Sequence, residues 1–222
     1  MALRDRQPGA SLTRIVTYAS IRAVAKMLLR VVFGARVSGA ENIPQTGALL
    51  MVANHQSYLD PPTIGSFVGA RHMEFLARAS LFRFKPFAWL ISLLNSVPIQ
   101  DDQGDSAAIR EILRRLEEGR AILIFPEGSR TRDGQIHEFK RGAALVMRKA
   151  KCPVLPAAIS GAYERWPINR KWPRLSGQPV RVKYGKVIPY EELMKDGADA
   201  AMMRLRDEVA RLKGELDREG RP

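Results

Sequence analysis

The chain has 222 residues, 45% of them apolar, which is enough to fill one core and lies within the usual range of a single domain. Its 36 Lys and Arg against 23 Asp and Glu give a net charge of +13, which implies attraction to a polyanion, either a nucleic acid or an anionic membrane face. Zinc-finger spacing and RNP-like aromatic blocks are missing and only 7% of residues are aromatic, so the membrane fits the charge better than nucleic acid does; one cysteine with three scattered histidines offers neither a disulfide nor metal-ligand spacing, and no cofactor is expected.

Arg4 and Arg6 precede an apolar-rich stretch, as they would in a signal peptide, but Arg14, Arg22, Lys26 and Arg30 interrupt it between Ser11 and Phe33. No apolar run there approaches the ~20 residues that span a bilayer. The last three charges recur every fourth residue and so stripe one face of a helix, while Ile15, Tyr18, Ile21, Val24, Leu28, Val31 and Val32 form a broad apolar face. Residues 1–34 are therefore expected to form a helical segment in the membrane interface, its cations at lipid headgroups; the competing reading docks the helix on the core. Residues 35–222 make the remaining domain.

Ala48–Ala53 reads as a buried strand of a mostly parallel sheet, and it runs into Asn54-His55-Gln56-Ser57-Tyr58-Leu59-Asp60. Such sheets hold their active groups just beyond the carboxyl ends of strands. There His55 can take a proton near neutral pH, and Asp60 can fix its tautomer and stabilise the imidazolium. Taken alone, the pair reads equally well as a turn capped by polar side chains. Leu81–Leu94 mixes aromatics with Arg83 and Lys85, and its uncharged part, from Pro86 to Gln100, is too short and too broken by proline to span a membrane. It suits an interfacial helix, the wall of an acyl-chain groove or a buried core helix.

Asp105 or Ser106 caps a helix with Ile109, Ile112, Leu113 and Leu116 on one face and Gly119 at its end. Ala121–Phe125 is a second short buried strand, leading into Pro126-Glu127-Gly128-Ser129-Arg130-Thr131-Arg132. Gly128 permits close backbone approach, Ser129 offers a hydroxyl, and Arg130 and Arg132 offer planar forks suited to two phosphate oxygens each. That composition is an anion site, or else ordinary turn chemistry. Next come a helix over Lys140–Lys149, a strand over Pro153–Ile159 headed by the packed thiol of Cys152, a loop over Tyr163–Gln178 and a strand over Pro179–Tyr184. Met202, Leu205, Val209, Leu212 and Leu216 mark a C-terminal helix that docks, since about two heptads are too few for a coiled coil. His72 and His137 fall outside any motif and read as loop residues. The alternation gives an α/β fold, a mostly parallel central sheet flanked by helices, with the N-terminal amphipathic segment attached.

Taken together, the two strand-end stretches resemble the glycerolipid acyltransferase family, the enzymes that acylate lysophosphatidic acid and related glycerol phosphates. His55 and Asp60 match its His-x4-Asp motif within Asn-His-x-Ser-x-x-Asp, and Phe125-Pro126-Glu127-Gly128-Ser129-Arg130 matches its Phe-Pro-Glu-Gly-Thr/Ser-Arg motif. Phe75–Phe82 with Val97-Pro98-Ile99 looks like the middle block, and Cys152–Ala158 looks like the final Val-Pro-Val-x-Pro block, so the similarity runs over about residues 35 to 190. Where the middle block usually ends with an arginine, this chain has Gln100 and then Asp101.

The resemblance implies transfer of a fatty acyl group from acyl-CoA or acyl carrier protein to the free hydroxyl of lysophosphatidic acid, by a peripheral or monotopic enzyme on the cytoplasmic face of a membrane. It implies His55 as general base and Asp60 as its orienter, with Arg130, Arg132 and Arg78 holding the acceptor phosphate. Glu127, Gly128 and Ser129 belong to the substrate loop, Glu127 orienting it or binding a glycerol hydroxyl. With Asp101 in place of the arginine, either those three arginines build the phosphate site alone with Asp101 turned to solvent, or the acceptor is not a phosphomonoester. The rivals are an acyltransferase for another lysolipid, a non-catalytic lipid-binding module, and a basic nucleic-acid-binding protein, the last distinguished by a steep salt dependence of binding.

Overall fold

A computed structural model describes residues 11–78, 96–99 and 104–220. Its elements in chain order are α1 (Leu12–Phe33), β1 (Arg36–Ser38), β2 (Leu49–Ala53), α2 (Asp60–Ser66), β3 (Met73–Arg78), β4 (Ser96–Ile99), α3 (Gly104–Glu117), β5 (Ala121–Ile124), α4 (Arg141–Ala150), β6 (Val154–Ser160), α5 (Ala162–Arg165), β7 (Arg181–Tyr184), α6 (Tyr190–Met194) and α7 (Ala198–Glu219). The seven strands form one sheet in the order β1-β7-β6-β2-β5-β3-β4. Every neighbouring pair is parallel except β6 with β7.

The apolar strands lie at the centre because they are buried on both faces, as parallel strands flanked by helices must be. In β2, Leu50 and Val52 stand opposite Ile122 and Ile124 of β5 on one side and Val154 and Pro156 of β6 on the other. Alternation then sorts the core into two layers. Leu49, Met51 and Ala53 pack with Leu29 of α1 and with Ile64 and Phe67 at α2, while Leu50 and Val52 pack with Ile112 of α3, Val146 of α4 and Leu205, Val209 and Leu212 of α7. Each fully buried aliphatic side chain of this kind contributes about 1.5–3 kcal/mol.

The fold class expected from the sequence is the one observed, and the helices and central strands fall within a few residues of their expected places. Three strands, the edge strands β1 and β4 and the inner strand β3, are not marked by any apolar pattern. β3 carries Glu74, an acidic residue that masks a strand until its carboxylate is seen buried against Arg115 and, at 2.9 Å, Arg120. In β4, Pro98 stands opposite Ala77 on the sheet edge, where a missing N–H costs no ladder bond. β1 is only three residues long.

The N-terminal helix corrects one expectation. Its apolar residues do not form a single broad face. Ile15, Tyr18 and Leu29 are buried against the domain, whereas Val16, Val24, Met27, Leu28 and Val31 are exposed. The cationic stripe, expected to reach headgroups, follows the seam with α2. Arg22 donates to the carbonyl of Arg71 at 2.9 Å, and the Lys26 amine and Arg30 guanidinium lie 5.1 and 5.3 Å from the centre of the Phe67 ring. An aliphatic helix with cations every fourth residue can dock with its cations inward because their long stems cover apolar surface. Among the described residues no helix is long and apolar enough to cross a membrane.

Cys152 is buried at the head of β6, and burial pushes its thiol up to about 11. The thiolate is the reactive form, so maleimide labelling of the folded chain near neutral pH should run roughly 100-fold slower than labelling of the denatured chain. Equal rates would show that the thiol is accessible.

Candidate active site

The carboxyl ends of β2 and β5 are adjacent in the sheet, and each leads into one of the two motif loops. Asn54 fixes the first. Its amide oxygen accepts from the Ile159 N–H at 2.9 Å and its amide nitrogen donates to the Ile159 carbonyl at 3.0 Å, extending the pairing of β2 with β6 by one side chain. The chain then turns, and α2 opens with Asp60-Pro61-Pro62, prolines being tolerated in a first turn whose N–H groups need no helical partner. This turn brings Asp60 back under His55.

His55 Nδ1 lies 2.8 Å from Asp60 Oδ2. The same oxygen accepts the backbone N–H groups of Gln56 and, at 2.7 Å, Ser57, and Asp60 is fully buried. Three donors on one oxygen hold the Asp60 side chain against rotation. With Nδ1 donating to a carboxylate, the neutral imidazole carries its lone pair on Nε2, which has no partner among the described residues. The ring stacks on Phe125 at 4.0 Å between centres, nearly parallel, and its side chain remains 18% exposed. It is an oriented base open to a reactant.

The second loop is tied to the first by backbone groups. The Thr131 N–H donates to the His55 carbonyl at 2.8 Å, and the His55 N–H donates to Glu127 Oε1 at 2.8 Å. The other Glu127 oxygen accepts the His137 N–H at 3.0 Å. The Glu127 side chain is buried, and each of its oxygens is engaged by a backbone amide. Burial pushes its carboxyl up, and the two amides pull the other way. His137, read as a loop residue, does lie in a loop and supplies one of those amides. His72 also lies outside the helices and strands but is buried, its ring 3.9 Å from that of Tyr18.

Gly128 has φ of 72°, a left-handed conformation that glycine adopts without penalty. A Cβ there would also fall 2.8 Å from Lys140 Cδ, Cε and Nζ. Lys140 therefore lies across the loop, adding an ammonium that the sequence reading placed only at the head of a helix. Ser129 and Arg132 are exposed at the rim. Arg130 is partly buried, with its guanidinium carbon 3.5 Å from the centre of the Tyr58 ring, and its Nη1 is buried without a partner. A cation over an aromatic face gains about 0.5–2 kcal/mol, so this stack holds the fork in place while leaving donors free. Arg78 closes β3, but its side chain, like Asp101 and the Leu81–Leu94 segment, lies outside the described residues.

Sequence spacing could not reveal Phe125 as the partner ring of His55, Asn54 as the clamp on β6, or Lys140 as a further cation beside the loop. Each depends on which strands become neighbours. The nearest signal for Lys140 was the helix start after β5, since a helix crossing the sheet must begin near a strand end.

Residues 34–160 match the model of the acyltransferase family. The 1-acyl-sn-glycerol-3-phosphate acyltransferase of Bacillus subtilis is 24% identical over 86% of this chain and 94% of its own length. The lyso-ornithine lipid O-acyltransferase of Pseudomonas aeruginosa is 32% identical over 72% of this chain and 60% of its own. In structure, the 1-acyl-sn-glycerophosphate acyltransferase PlsC of Thermotoga maritima superimposes with a TM-score of 0.70 and 28% identity over 90% of this chain and 80% of that one. The chain spans only 38% and 37% of the length of two chloroplast relatives that it also matches. The family model covers more than half of the chain and includes both motif loops, and on that ground this chain belongs to the acyltransferase family.

Proposed function

We propose that the chain transfers a fatty acyl group from a thioester donor, acyl-CoA or acyl carrier protein, to the free hydroxyl of lysophosphatidic acid, giving phosphatidic acid. The observation that carries this reading is His55 oriented by a buried Asp60, with Nε2 free. The acceptor hydroxyl donates its proton to Nε2 as its oxygen attacks the thioester carbonyl. The tetrahedral intermediate collapses with cleavage of the C–S bond, and the imidazolium returns the proton to the departing thiolate. Asp60 steadies the imidazolium, and a backbone N–H near the strand end serves the oxyanion. An acyl-enzyme is unnecessary, because a thiolate leaves readily and the acceptor oxygen is itself the nucleophile. Arg130, with Arg132 and Arg78, holds the acceptor phosphate. Two relatives named for lysophosphatidic acid or its synonym support that acceptor.

A second acceptor class is favoured by the relative named for a lyso-ornithine lipid. Product formation across lysophosphatidic acid, lyso-ornithine lipid and other lysolipids separates the two, and the proposed reading requires the phosphomonoester to be used best.

The chain would work on the anionic, cytoplasmic face of a membrane, as a peripheral or monotopic protein. The exposed apolar face of α1 supports this reading. Changing Val24, Leu28 and Val31 together to Gln should weaken flotation with anionic vesicles by tenfold or more, taking ~0.8 kcal/mol per CH₂ withdrawn from the interface. Turnover of a short-chain soluble acceptor should be unaffected. Unchanged flotation would remove α1 as a membrane contact.

A further inference from the structure

The loop that follows α5 has an unusual surface. Arg170-Lys171-Trp172-Pro173-Arg174-Leu175 places Trp172 at 72% and Leu175 at 67% exposure among three cations, none of which has a carboxylate partner among the described residues. Exposed apolar residues on loops are ordinary when scattered singly. Here they are presented by a rigid frame. Arg165, itself buried, donates to the carbonyls of Leu175, Gly177 at 2.7 Å and Gln178 at 2.9 Å, and its own carbonyl accepts the Arg174 N–H at 2.7 Å. Trp166 Nε1 donates to the Arg170 carbonyl at 3.1 Å, closing the other end. A segment already fixed in shape loses little conformational entropy when it docks.

The frame also has a place in the fold. Its base meets the end of α1, where the Val180 N–H donates to the Phe33 carbonyl at 3.0 Å and the Arg165 guanidinium lies 5.9 Å from the Phe33 ring. Its start meets the candidate site, where Ser57 Oγ donates to the Trp166 carbonyl at 2.7 Å and the Tyr58 and Trp166 rings are 5.1 Å apart. The loop thus joins the end of the helix whose Val31 is 79% exposed to the turn that carries His55 and supports Arg130.

We propose that segment 170–175 is a second bilayer contact. Trp172 and Leu175 enter the interfacial layer of an anionic phospholipid membrane, and Arg170, Lys171 and Arg174 meet headgroup phosphates. A tryptophan with an apolar body and a polar N–H suits that layer, and cations suit the charged plane above it. The contact rests on the membrane association proposed above and adds that the bilayer meets the protein beside the site as well as along α1, so a lysolipid acceptor has a short path from the membrane to His55.

Leu175→Cys, Val31→Cys and Met203→Cys, each labelled with an environment-sensitive fluorophore while buried Cys152 stays unlabelled, test this on vesicles of phosphatidylglycerol and phosphatidylethanolamine carrying nitroxide lipids. Met203 is an exposed position on α7 and serves as the reference. Quenching at positions 175 and 31 but not 203 is the expected result. Quenching at 31 alone overturns the loop contact and leaves membrane association standing, whereas quenching at none of the three overturns both. The triple variant Arg170→Gln, Lys171→Gln, Arg174→Gln should lose vesicle affinity by about fivefold per charge. Unchanged affinity would also overturn the contact.

Discussion

His55→Ala should lower acyl transfer by about 100-fold or more while the chain stays folded and keeps its affinity for vesicles. The magnitude is that of losing a positioned general base. The fold should survive because Asp60 keeps two backbone donors, from Gln56 and Ser57, when the imidazole is gone. What the variant loses structurally is one stacked ring on Phe125, worth about 0.5–1.5 kcal/mol. Asp60→Asn should be nearly as damaging for a different reason. An amide can put its oxygen where Oδ2 accepts its three donors, and its NH₂ then takes the place of Oδ1, a buried atom with no partner. Geometry is kept, the charge that stabilises the imidazolium is lost, and a loss of about 100-fold follows. Turnover above a tenth of wild type in His55→Ala would exclude this base.

Arg130→Ala should raise the Michaelis constant for lysophosphatidic acid by about 30-fold, the equivalent of roughly 2 kcal/mol for a charge-assisted hydrogen bond left unmade. Acceptors without a phosphate should be affected little. The stack on Tyr58 gives the prediction a second arm. Arg130→Lys should recover little, because an ammonium neither stacks as a plane nor offers a two-pronged fork. If wild type prefers an acceptor lacking the phosphate and Arg130→Ala leaves that preference unchanged, lysophosphatidic acid is the wrong acceptor even where acyl transfer is observed. Asp101→Arg, restoring the arginine usual in the family's middle block, should improve the affinity only modestly if that residue faces solvent.

The parts of the site that were legible in the sequence are those where chemistry and strand are contiguous. A buried apolar run followed at once by His55 and Asp60, or by Gly128 to Arg130, marks a strand end and its loop without knowledge of the partner strands. Contributions from a distance were illegible for the same reason. Asn54 with Ile159, Phe125 with His55, and Ser57 with Trp166 depend on β2 lying between β5 and β6, an order that no local pattern encodes. The orientation of α1 was ambiguous in principle, since apolar residues lie on both sides of its cationic stripe and periodicity gives the spacing of a face without saying which face docks. Strand β3 was hidden by Glu74, whose charge reads as exposed until Arg115 and Arg120 are seen to neutralise it.

If an acceptor hydroxyl activated by His55 attacks the thioester directly, no thiol should leave before the acceptor is bound. Free thiol measured from acyl-CoA, and in turn from an acyl carrier protein thioester, with and without lysophosphatidic acid tests it most directly. Thiol release should depend on the acceptor, match phosphatidic acid mole for mole and be nearly absent in His55→Ala. Vesicle binding with no acceptor-dependent thiol release would make the chain a lipid-binding module, and a burst of thiol before acceptor is added would replace direct attack with an acyl-enzyme.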